Sequence, residues 1–280
     1  MLIRPTLQAF LKSHRLRLNK RLGQHHLVDP QVVAQLSRRW ALGRSDTVVE
    51  IGAGLGALTE TLADQAGHVI AVEVDPSCCQ ALAERLGGRP TVRVVCQDIL
   101  QFDWASAPGA VVVGAIPYHI TSPILVALSH ARCTLREAWL ILQQEVAQRL
   151  LAQPSTKAYG RLSVLAQYCW QVTSVMTVPR RAFFPAPQVD SACVRLVPWP
   201  QPPVMVADEG RFFELVKAAF SQRRKTLVNC LGPRAAGWAT RPQIEEALRA
   251  LGLAPNVRGE ALSLDEFASL ANALGQRPPR

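Results

Sequence analysis

The chain has 280 residues, 49% of them hydrophobic, and a formal net charge of +10 from 31 basic and 21 acidic residues. This length allows one large domain and a smaller one, and no apolar run approaches the roughly 18–20 residues of a membrane span. The positive charge favours phosphate-rich partners, and the opening residues lack the pattern of a secretory signal.

Helix-like and strand-like stretches alternate along residues 30–190. The predicted strands are 47–51, 68–74, 91–96, 109–114 and 138–143. The predicted helices are 30–40, 55–65, 76–86 and 122–129. This alternation implies right-handed crossovers and predicts an α/β, Rossmann-like domain around a mainly parallel sheet. Two later β-rich runs, 167–178 and 190–197, are predicted to extend the sheet as an antiparallel edge.

A proline-rich segment at 198–203 interrupts regular structure and indicates a linker. Beyond it, apolar residues recur at helical spacing, and Ser263 with Glu266 fits a capping box. We therefore expect a small all-helical C-terminal domain. The predicted organisation is a basic arm at 1–28, a Rossmann-like domain at 29–198, a linker at 199–205 and the helical domain at 206–280.

The seven cysteines include no Cys-x-x-Cys pair, and Cys96 and Cys193 lie in apolar strand-like runs. This usage predicts reduced, buried cysteines in a cytoplasmic protein. The six histidines have no metal-ligand spacing, so no metal site is expected. The arm at 1–28 carries six basic residues and no acid. It fits contact with an anionic partner, and a mitochondrial presequence has a similar composition.

A glycine-rich turn at 52–56 closes the first predicted strand, and Glu73 and Asp98 end the second and third. Glycines allow a sharp turn beside the strand ends, where such sheets bind ligands. A carboxylate at 73 can accept both hydroxyl hydrogens of a ribose, and one at 98 can accept an adenine amino group. The turn alone fits a methyl donor, a dinucleotide or a purely structural role. Glu50, placed two residues before the first glycine, favours the methyl donor.

After the fourth strand, residues 114–118 read Gly-Ala-Ile-Pro-Tyr. Here the chain resembles the ribosomal RNA adenine N6-dimethyltransferases, which include the bacterial small-subunit assembly enzyme and the erythromycin-resistance methylases. The matching motifs span nearly the whole chain and lie at 20–25, 50–56, 116–118, 120–124, 144–149, 157–163, 183–191 and 220–227. Their order and spacing are most similar to those of the small-subunit enzyme.

The resemblance implies S-adenosylmethionine as cofactor and N6,N6-dimethylation of two adjacent adenosines near the 3′ end of small-subunit ribosomal RNA. The implied cofactor contacts are Gln24, His25, Leu27, Gly52, Gly54, Glu73, Val74, Asp98, Ile99 and Ala115. The implied acceptor site is Ala115, Ile116, Pro117, Tyr118 and Phe183. Tyr118 and Phe183 would stack on the two faces of an adenine swung out of the RNA.

Basic residues are the implied RNA contacts, since lysine and arginine bind phosphates and position the RNA. They are Lys20, Arg21, Arg223, Arg224 and Lys225. The alternative for the cluster at 223–225 is pairing with acids such as Asp208 or Glu209. The expected partner is the immature small ribosomal subunit, bound by a monomer.

Ala115 departs from the family pattern, which has Asn or Asp at this position. The Asn carbonyl accepts one N–H of the adenine amino group, and the backbone carbonyl of Ile116 or Pro117 accepts the other. Three interpretations remain open: a weakened or inactive relative that still binds ribosome precursors, a substitution introduced to inactivate, or replacement by another group, for which His119 is a candidate. His26 also replaces the family's Phe, which predicts weaker cofactor affinity.

Overall fold

The computed structural model describes residues 3–14, 16, 18, 23–232 and 239–275. Its strands are β1 His26–Leu27, β2 Thr47–Ile51, β3 His68–Glu73, β4 Val92–Cys96, β5 Ala110–Ala115, β6 Leu135–Gln143, β7 Trp170–Val178, β8 Phe183–Phe184 and β9 Ser191–Pro198. Its helices are α1 Arg4–Ser13, α2 Pro30–Ser37, α3 Thr59–Gln65, α4 Pro76–Leu86, α5 Thr121–Ala131, α6 Gln144–Leu150, α7 Arg161–Cys169, α8 Glu209–Ala219, α9 Leu227–Leu231, α10 Arg241–Ala250 and α11 Leu264–Gly275.

Seven strands form one sheet in the order β4-β3-β2-β5-β6-β9-β7. Strands β2 to β6 pair in parallel, and β9 pairs antiparallel with β6. The predicted Rossmann-like architecture with an antiparallel edge is therefore confirmed. The strand order reverses between β2 and β5, the position at which open α/β sheets leave a crevice for a ligand.

Apolar side chains of the central strands and of α2 and α3 form the main core of the sheet domain. Val48 of β2 and Val111 of β5 are fully buried, and Leu62 of α3 packs in the same cluster. Each buried aliphatic side chain contributes roughly 1.5–3 kcal/mol of transfer free energy. This rigid packing fixes the positions at which the strands end.

Short polar residues begin several helices. Asp29 accepts hydrogen bonds from the second and third backbone N–H groups of α2, and Asp75 accepts from the second N–H group of α4, that of Ser77. The predicted capping box is present at α11, where Glu266 accepts from the Ser263 N–H and Ser263 Oγ accepts from the Glu266 N–H. These caps explain why the helix starts at 30 and 76 were predictable.

Several predicted boundaries differ from the structure, and for three of them the local backbone shows the reason. The helix predicted from 55 begins at Thr59, because Gly56 has a φ of +83° and cannot belong to a right-handed helix. The helix predicted to reach Trp40 ends at Ser37, since the chain turns at Ala41, whose φ is +47°. The strand predicted from 167 begins at Trp170, because residues 167–169 complete α7.

The prediction of reduced, buried cysteines is wrong for Cys79 and Cys96. Cys79 and Cys96 form a disulfide that links α4 to the end of β4, and Cys96 is exposed. Parallel pairing of β3 with β4 brings Cys96 opposite Glu73, a relationship between distant positions that composition does not reveal. Cys193 is buried and free, as expected, and burial raises the pKa of its thiol to about 12.

The described part of the chain divides into two compact units. One contains the residues up to Ala147 together with Gln171–Pro198, and the other contains Gln148–Trp170 together with the described residues from Trp199 onward. Residues 148–170 belong to the second unit. The predicted division into a basic arm, a sheet domain, a linker and a helical domain stays a prediction. Among the residues that the structure describes, no helix is long and apolar enough to cross a membrane.

Candidate functional site

A cleft with about 880 Å³ of space, its open mouth included, lies at the carboxyl ends of β2 to β5 within the sheet unit. Many predicted site residues line it: Gln24, His25, Gly52, Gly54, Glu73, Val74, Asp98, Ile99, Ala115, Ile116, Pro117, Tyr118 and Phe183. Leu27 does not line the cleft, because it is buried in the main core. Parallel strands bring residues that are far apart in the sequence to one edge of the sheet.

The glycine turn after β2 forms one wall of the cleft. Gly52 and Gly54 have φ values of +67° and +54°, in the left-handed region that favours glycine. A side chain at 52 would have only the Ala115 carbonyl oxygen near it, at 3.9 Å from its Cβ. The turn therefore brings bare backbone to the cleft, where a ligand can approach closely.

Glu73, at the end of β3, is held by three backbone N–H groups. Its Oε2 accepts from Gly54 at 2.8 Å, and its Oε1 accepts from Val74 and Asp75 at 2.9 Å. A carboxylate has about four lone-pair positions, so one position on Oε2 remains. This capacity suits a ribose hydroxyl hydrogen, and the contact with both hydroxyls stays a prediction.

Asp98 follows β4 and performs a local structural role as well. Its Oδ1 accepts from the Leu100 N–H at 2.9 Å and caps the short 3-10 turn at 99–101. The helix-cap interpretation and the ligand interpretation are compatible, because a carboxylate has a second oxygen. Ile99 is buried beside it, and Val74 is exposed at the same edge of the sheet.

Glu50 lies beneath the glycine turn and has almost no contact with solvent. Its Oε2 accepts from Thr59 Oγ1 at 2.5 Å, which ties the end of β2 to the first residue of α3. Burial raises the pKa of this carboxyl to about 8; the Thr59 hydrogen bond opposes the shift, and the charge of Glu73 adds to it. Burial therefore favours the protonated form of Glu50, and its hydrogen bond with Thr59 supports the glycine turn.

The acceptor half of the cleft begins where β5 ends at Ala115. The Ile116 N–H donates to the Ile141 carbonyl at 3.0 Å, which extends the pairing of β5 with β6. The Pro117 carbonyl accepts from the Ile120 N–H and from Thr121 Oγ1, both at 3.2 Å. No described residue donates a hydrogen bond to the Ile116 carbonyl, so of these two carbonyls the one at 116 is available to a ligand.

Tyr118 is half-buried beside this carbonyl. Its hydroxyl lies 3.0 Å from Ser191 Oγ, and burial raises the pKa of the phenol above its ordinary value. Phe183, its predicted partner in base stacking, is only 3% exposed and packs in the main core. Phe183 therefore lines the cleft with little of its surface accessible, and its stacking on a base stays a prediction.

Residues 23–27 run across both halves of the cleft. Gln24 Nε2 donates to Asp75 Oδ2 at 2.8 Å on the cofactor side. His25 Nδ1 lies 2.7 Å from the Pro185 carbonyl on the acceptor side. His26 is buried against Gly54, and its pKa is lowered to about 4, chiefly by burial and also by His25. The sequence predicted that this segment contacts the ligand. It did not predict that Gln24 and His25 form hydrogen bonds on opposite sides of the cleft.

The predicted RNA-binding residues fall in three places. Lys20 and Arg21 lie outside the described residues. Arg223 donates to Glu260 Oε2 at 2.9 Å and to the Lys157 carbonyl, so it has a structural role within the second unit. Arg224 and Lys225 are exposed, and neither pairs with an acidic side chain in the part of the chain that the structure describes. The alternative of pairing with an acidic side chain applies to Arg223, whose partner is Glu260, whereas Asp208 pairs with Arg211.

No group of three or more His, Cys, Asp or Glu residues within the described ranges could hold a metal ion. The cleft instead presents a glycine turn, two strand-end carboxylates and a free backbone carbonyl beside a tyrosine. This combination can bind a ribose-containing ligand on one side and a planar base with hydrogen-bond donors on the other.

Comparisons with known proteins agree with this geometry. The model of the family described as ribosomal RNA adenine dimethylase matches residues 15–274. The ribosomal RNA small subunit methyltransferase A of Moorella thermoacetica is 43% identical over 278 residues, which cover 95% of this chain and 96% of that protein. The protein of the same name from Geobacillus thermodenitrificans is 41% identical, with 95% and 94% covered.

Two solved structures share the fold. A dimethyladenosine transferase from Plasmodium falciparum superposes with a TM-score of 0.74 at 26% identity, covering 88% of this chain and 96% of that one. The 23S rRNA methyltransferase ErmE superposes with a TM-score of 0.64 at 30% identity, covering 89% and 99%. The chain therefore belongs to the ribosomal RNA adenine dimethylase family, whose members are methyltransferase enzymes.

Proposed function

We propose that this chain uses S-adenosylmethionine to dimethylate the N6 atoms of two adjacent adenosines near the 3′ end of small-subunit ribosomal RNA. The observation that carries this proposal is that a single cleft contains two groups of residues. Glu73 and Asp98 form the cofactor half, and Ile116 and Tyr118 form the acceptor half. The relatives at 41–43% identity, named small subunit methyltransferases, support the choice of RNA. The assignment implies action on immature small subunits in the cytoplasm, by a monomer.

The cofactor half of the cleft fits S-adenosylmethionine. The bare backbone at Gly52 leaves room for a ligand, and Glu73 Oε2 retains one acceptor position for a ribose hydroxyl. Asp98 has a second oxygen for the adenine amino group, and Ile99 offers an apolar surface beside it. When bound, the cofactor supplies an electrophilic methyl group on a positively charged sulfur. No residue of this mechanism needs to form a covalent bond to the substrate.

The acceptor half fits an adenine that has left the RNA stack. Tyr118 offers a half-buried aromatic face, and base–aromatic stacking contributes roughly 1–3 kcal/mol per base. The Ile116 carbonyl can accept one N–H of the adenine amino group, since no described residue occupies it. Accepting these hydrogens draws the nitrogen away from planarity and makes its lone pair more nucleophilic.

Ala115 supplies no side-chain acceptor for the second N–H. Loss of one placed polar group in an active site costs on the order of 3 kcal/mol, about a hundredfold in rate. This residue favours a second candidate function, a ribosome-assembly factor that binds RNA and cofactor with little turnover. The methyltransferase and the assembly factor would use the same contacts in the cofactor half. They differ only in the rate at which the methyl group is transferred to adenine.

The deciding experiment incubates the chain and its Ala115→Asn variant with labelled S-adenosylmethionine and immature small subunits. Mass spectrometry of the digested RNA identifies N6,N6-dimethyladenosine and its position. Dimethylation by the parent chain supports the enzyme and excludes the assembly-factor alternative. Labelling by the Ala115→Asn variant alone supports the assembly factor. Binding of neither subunits nor cofactor contradicts both functions.

A further inference from the structure

A short 3-10 turn at the edge of the acceptor half carries Arg180 and Arg181, both of them exposed. The turn leads directly into β8, whose first residue, Phe183, lines the cleft. The last residue of the turn, Ala182, accepts through its carbonyl from the Val28 N–H at 2.8 Å, just past the segment that crosses the cleft. Neither arginine lines the cleft itself. The two arginines therefore lie beside the acceptor half and not within it.

The contacts of these two arginines use little of their charge. The Arg180 N–H donates to Asp190 Oδ1 at 2.8 Å, so this carboxylate is bonded to the main chain of the turn. The Arg180 guanidinium donates to the Gln188 carbonyl at 3.3 Å, which uses one of its five N–H groups. No residue in the part of the chain that the structure describes accepts a hydrogen bond from the Arg181 side chain. Most of the donor groups of both side chains are therefore open to a ligand.

Arg4 brings a third positive charge to the same turn. Its Nη2 donates to the Arg181 carbonyl at 3.1 Å and to the Phe183 carbonyl at 3.4 Å. Its guanidinium carbon lies 5.9 Å from the centroid of the Phe184 ring, within the range of a cation–π contact. Leu7, three residues later in α1, is buried in an apolar cluster that anchors the helix. Neutral carbonyls, an aromatic ring and the packing of α1 therefore hold this charge in place.

Three guanidinium groups at one turn repel one another unless an anion lies between them or salt screens them. The contacts described above supply neutral oxygens to the guanidinium groups, while the Asp190 carboxylate accepts from the main chain. The planar guanidinium matches a pair of phosphate oxygens. A nucleotide whose base enters the acceptor half leaves its sugar and phosphates at the edge of the cleft, because only the base is taken out of the stack into the pocket. The turn lies at this edge.

We propose that Arg180 and Arg181, together with Arg4, bind backbone phosphates of the RNA strand beside the target adenosine. This inference rests on the proposed function and adds an RNA-binding surface on the sheet unit to the predicted contacts at 224–225 in the second unit. Phosphate contacts fix the register of a strand and carry no base information. The surface therefore positions the adenosine for entry into the acceptor half and leaves recognition of the base to the cleft.

Filter binding to immature small subunits at several salt concentrations tests the contribution of the charge. Arg180→Gln combined with Arg181→Gln removes two charges and keeps an amide donor for the Gln188 carbonyl. We expect about tenfold weaker binding at about 0.15 M salt, and a slope of log K against log salt that is smaller by about 1.4–1.8, since each lost phosphate contact removes about 0.7–0.9. Arg38→Gln combined with Arg93→Gln removes the same charge from other exposed positions of the sheet unit and should change the slope by less than about 0.5.

A tethered probe tests where the turn meets the RNA. An iron chelate is attached to the Arg181→Cys variant of a Cys133→Ser chain, because Cys133 is the exposed free cysteine and the others are buried. Hydroxyl radicals released at the chelate should cut the RNA within a few nucleotides of the two adjacent adenosines near its 3′ end. The same chelate on the Arg93→Cys variant should leave this region uncut.

Equal effects of the two glutamine pairs on affinity and slope, or cuts confined to other regions of the RNA, overturn the inference. A lower melting temperature of the pair at 180 and 181 also overturns it, because the turn then has a structural role. Calorimetry with S-adenosylhomocysteine should give equal affinity for the parent and this pair, and a weaker affinity of the pair would place the arginines in cofactor binding instead. A parent chain that binds no subunits and labels no RNA contradicts the proposed function, whereas labelling by the parent with unchanged binding by the pair overturns only the inference.

Discussion

The ring of His26 lies directly against Gly54, so that a Cβ at position 54 would be 2.9 Å from both Cε1 and Nδ1 of the histidine. The same Gly54 donates its N–H to Glu73. His26 also pairs with Phe184 where β1 meets β8. His26 thus contacts the glycine turn of the cofactor half, while its strand β1 pairs with β8 beside the acceptor half.

His26→Phe is expected to make the protein more resistant to acid. Burial lowers the pKa of His26 from 6.5 to about 4, so between these values the unfolded chain binds a proton that the folded chain does not. Stability is then lost as pH falls through this window, by on the order of 3 kcal/mol, and the phenylalanine removes that loss. Urea unfolding at pH 7 and pH 4.5 measures the difference.

The control for this variant is His68→Ala, which removes an exposed histidine from the same unit. We also expect His26→Phe to bind S-adenosylmethionine more tightly, because an apolar ring is better suited to the apolar contact under the turn. An identical pH dependence in the parent and His26→Phe proteins would refute the buried neutral state of His26.

Glu50→Gln is expected to stabilise the protein progressively as pH rises. Burial raises the pKa of Glu50 from 4.5 to about 8, so in this range the folded chain holds a proton that the unfolded chain has released. The free energy of unfolding of the parent therefore falls with rising pH, by several kcal/mol relative to the variant, and the amide can still accept from Thr59. Chemical unfolding of both proteins at pH 5, 7 and 9 measures the trend.

Glu84→Gln, which removes an exposed carboxylate from α4, controls for the change in net charge. A constant difference between the parent and Glu50→Gln across the three pH values would mean that Glu50 is ionised in the folded protein. The structural account of the glycine turn would then require a positive partner that the described residues do not show.

Arg224→Ala combined with Lys225→Ala is expected to weaken binding to small subunits without loosening the second unit. Both side chains are exposed and without acidic partners among the described residues, whereas Arg223 pairs with Glu260. Each phosphate contact that is lost reduces the slope of log K against log salt by about 0.7–0.9. Filter binding at several salt concentrations, with the melting temperature measured in parallel, tests this.

Lys217→Ala combined with Arg249→Ala removes the same charge from other exposed positions of the second unit. If both pairs reduce affinity equally, the cluster contributes only net charge. If the pair at 224 and 225 also lowers the melting temperature, its role is structural.

Thiol titration is expected to detect five free cysteines in protein unfolded without reductant and seven after reduction. Cys96→Ser should then lower the midpoint of unfolding in the oxidised protein, because a bridge across 17 residues is worth about 3 kcal/mol by loop-entropy arguments. Cys133→Ser, an exposed free thiol, provides the matched control. Seven titratable thiols before reduction would disprove the pairing.

Sequence patterns predicted most of the sheet because alternating strands and helices allow few topologies. They predicted element starts best where Asp29 and Asp75 supply a local cap, and worst where φ changes sign at Ala41 and Gly56. Glu73, Asp98 and Ala115 were identifiable because they lie at or just beyond the carboxyl ends of parallel strands. The separate role of each residue could not be predicted, because it depends on hydrogen bonds between segments that are remote in sequence.

The family motifs, the Rossmann-like order and the missing side-chain acceptor at Ala115 could be predicted from the amino-acid sequence, because these are properties of residue type and spacing. The folded arrangement adds that three backbone N–H groups hold Glu73, that Phe183 is largely covered, and that His25 Nδ1 lies against the Pro185 carbonyl. Such features arise when burial removes water and each polar group must find a partner across the fold. They are set by packing in three dimensions, which residue spacing does not encode.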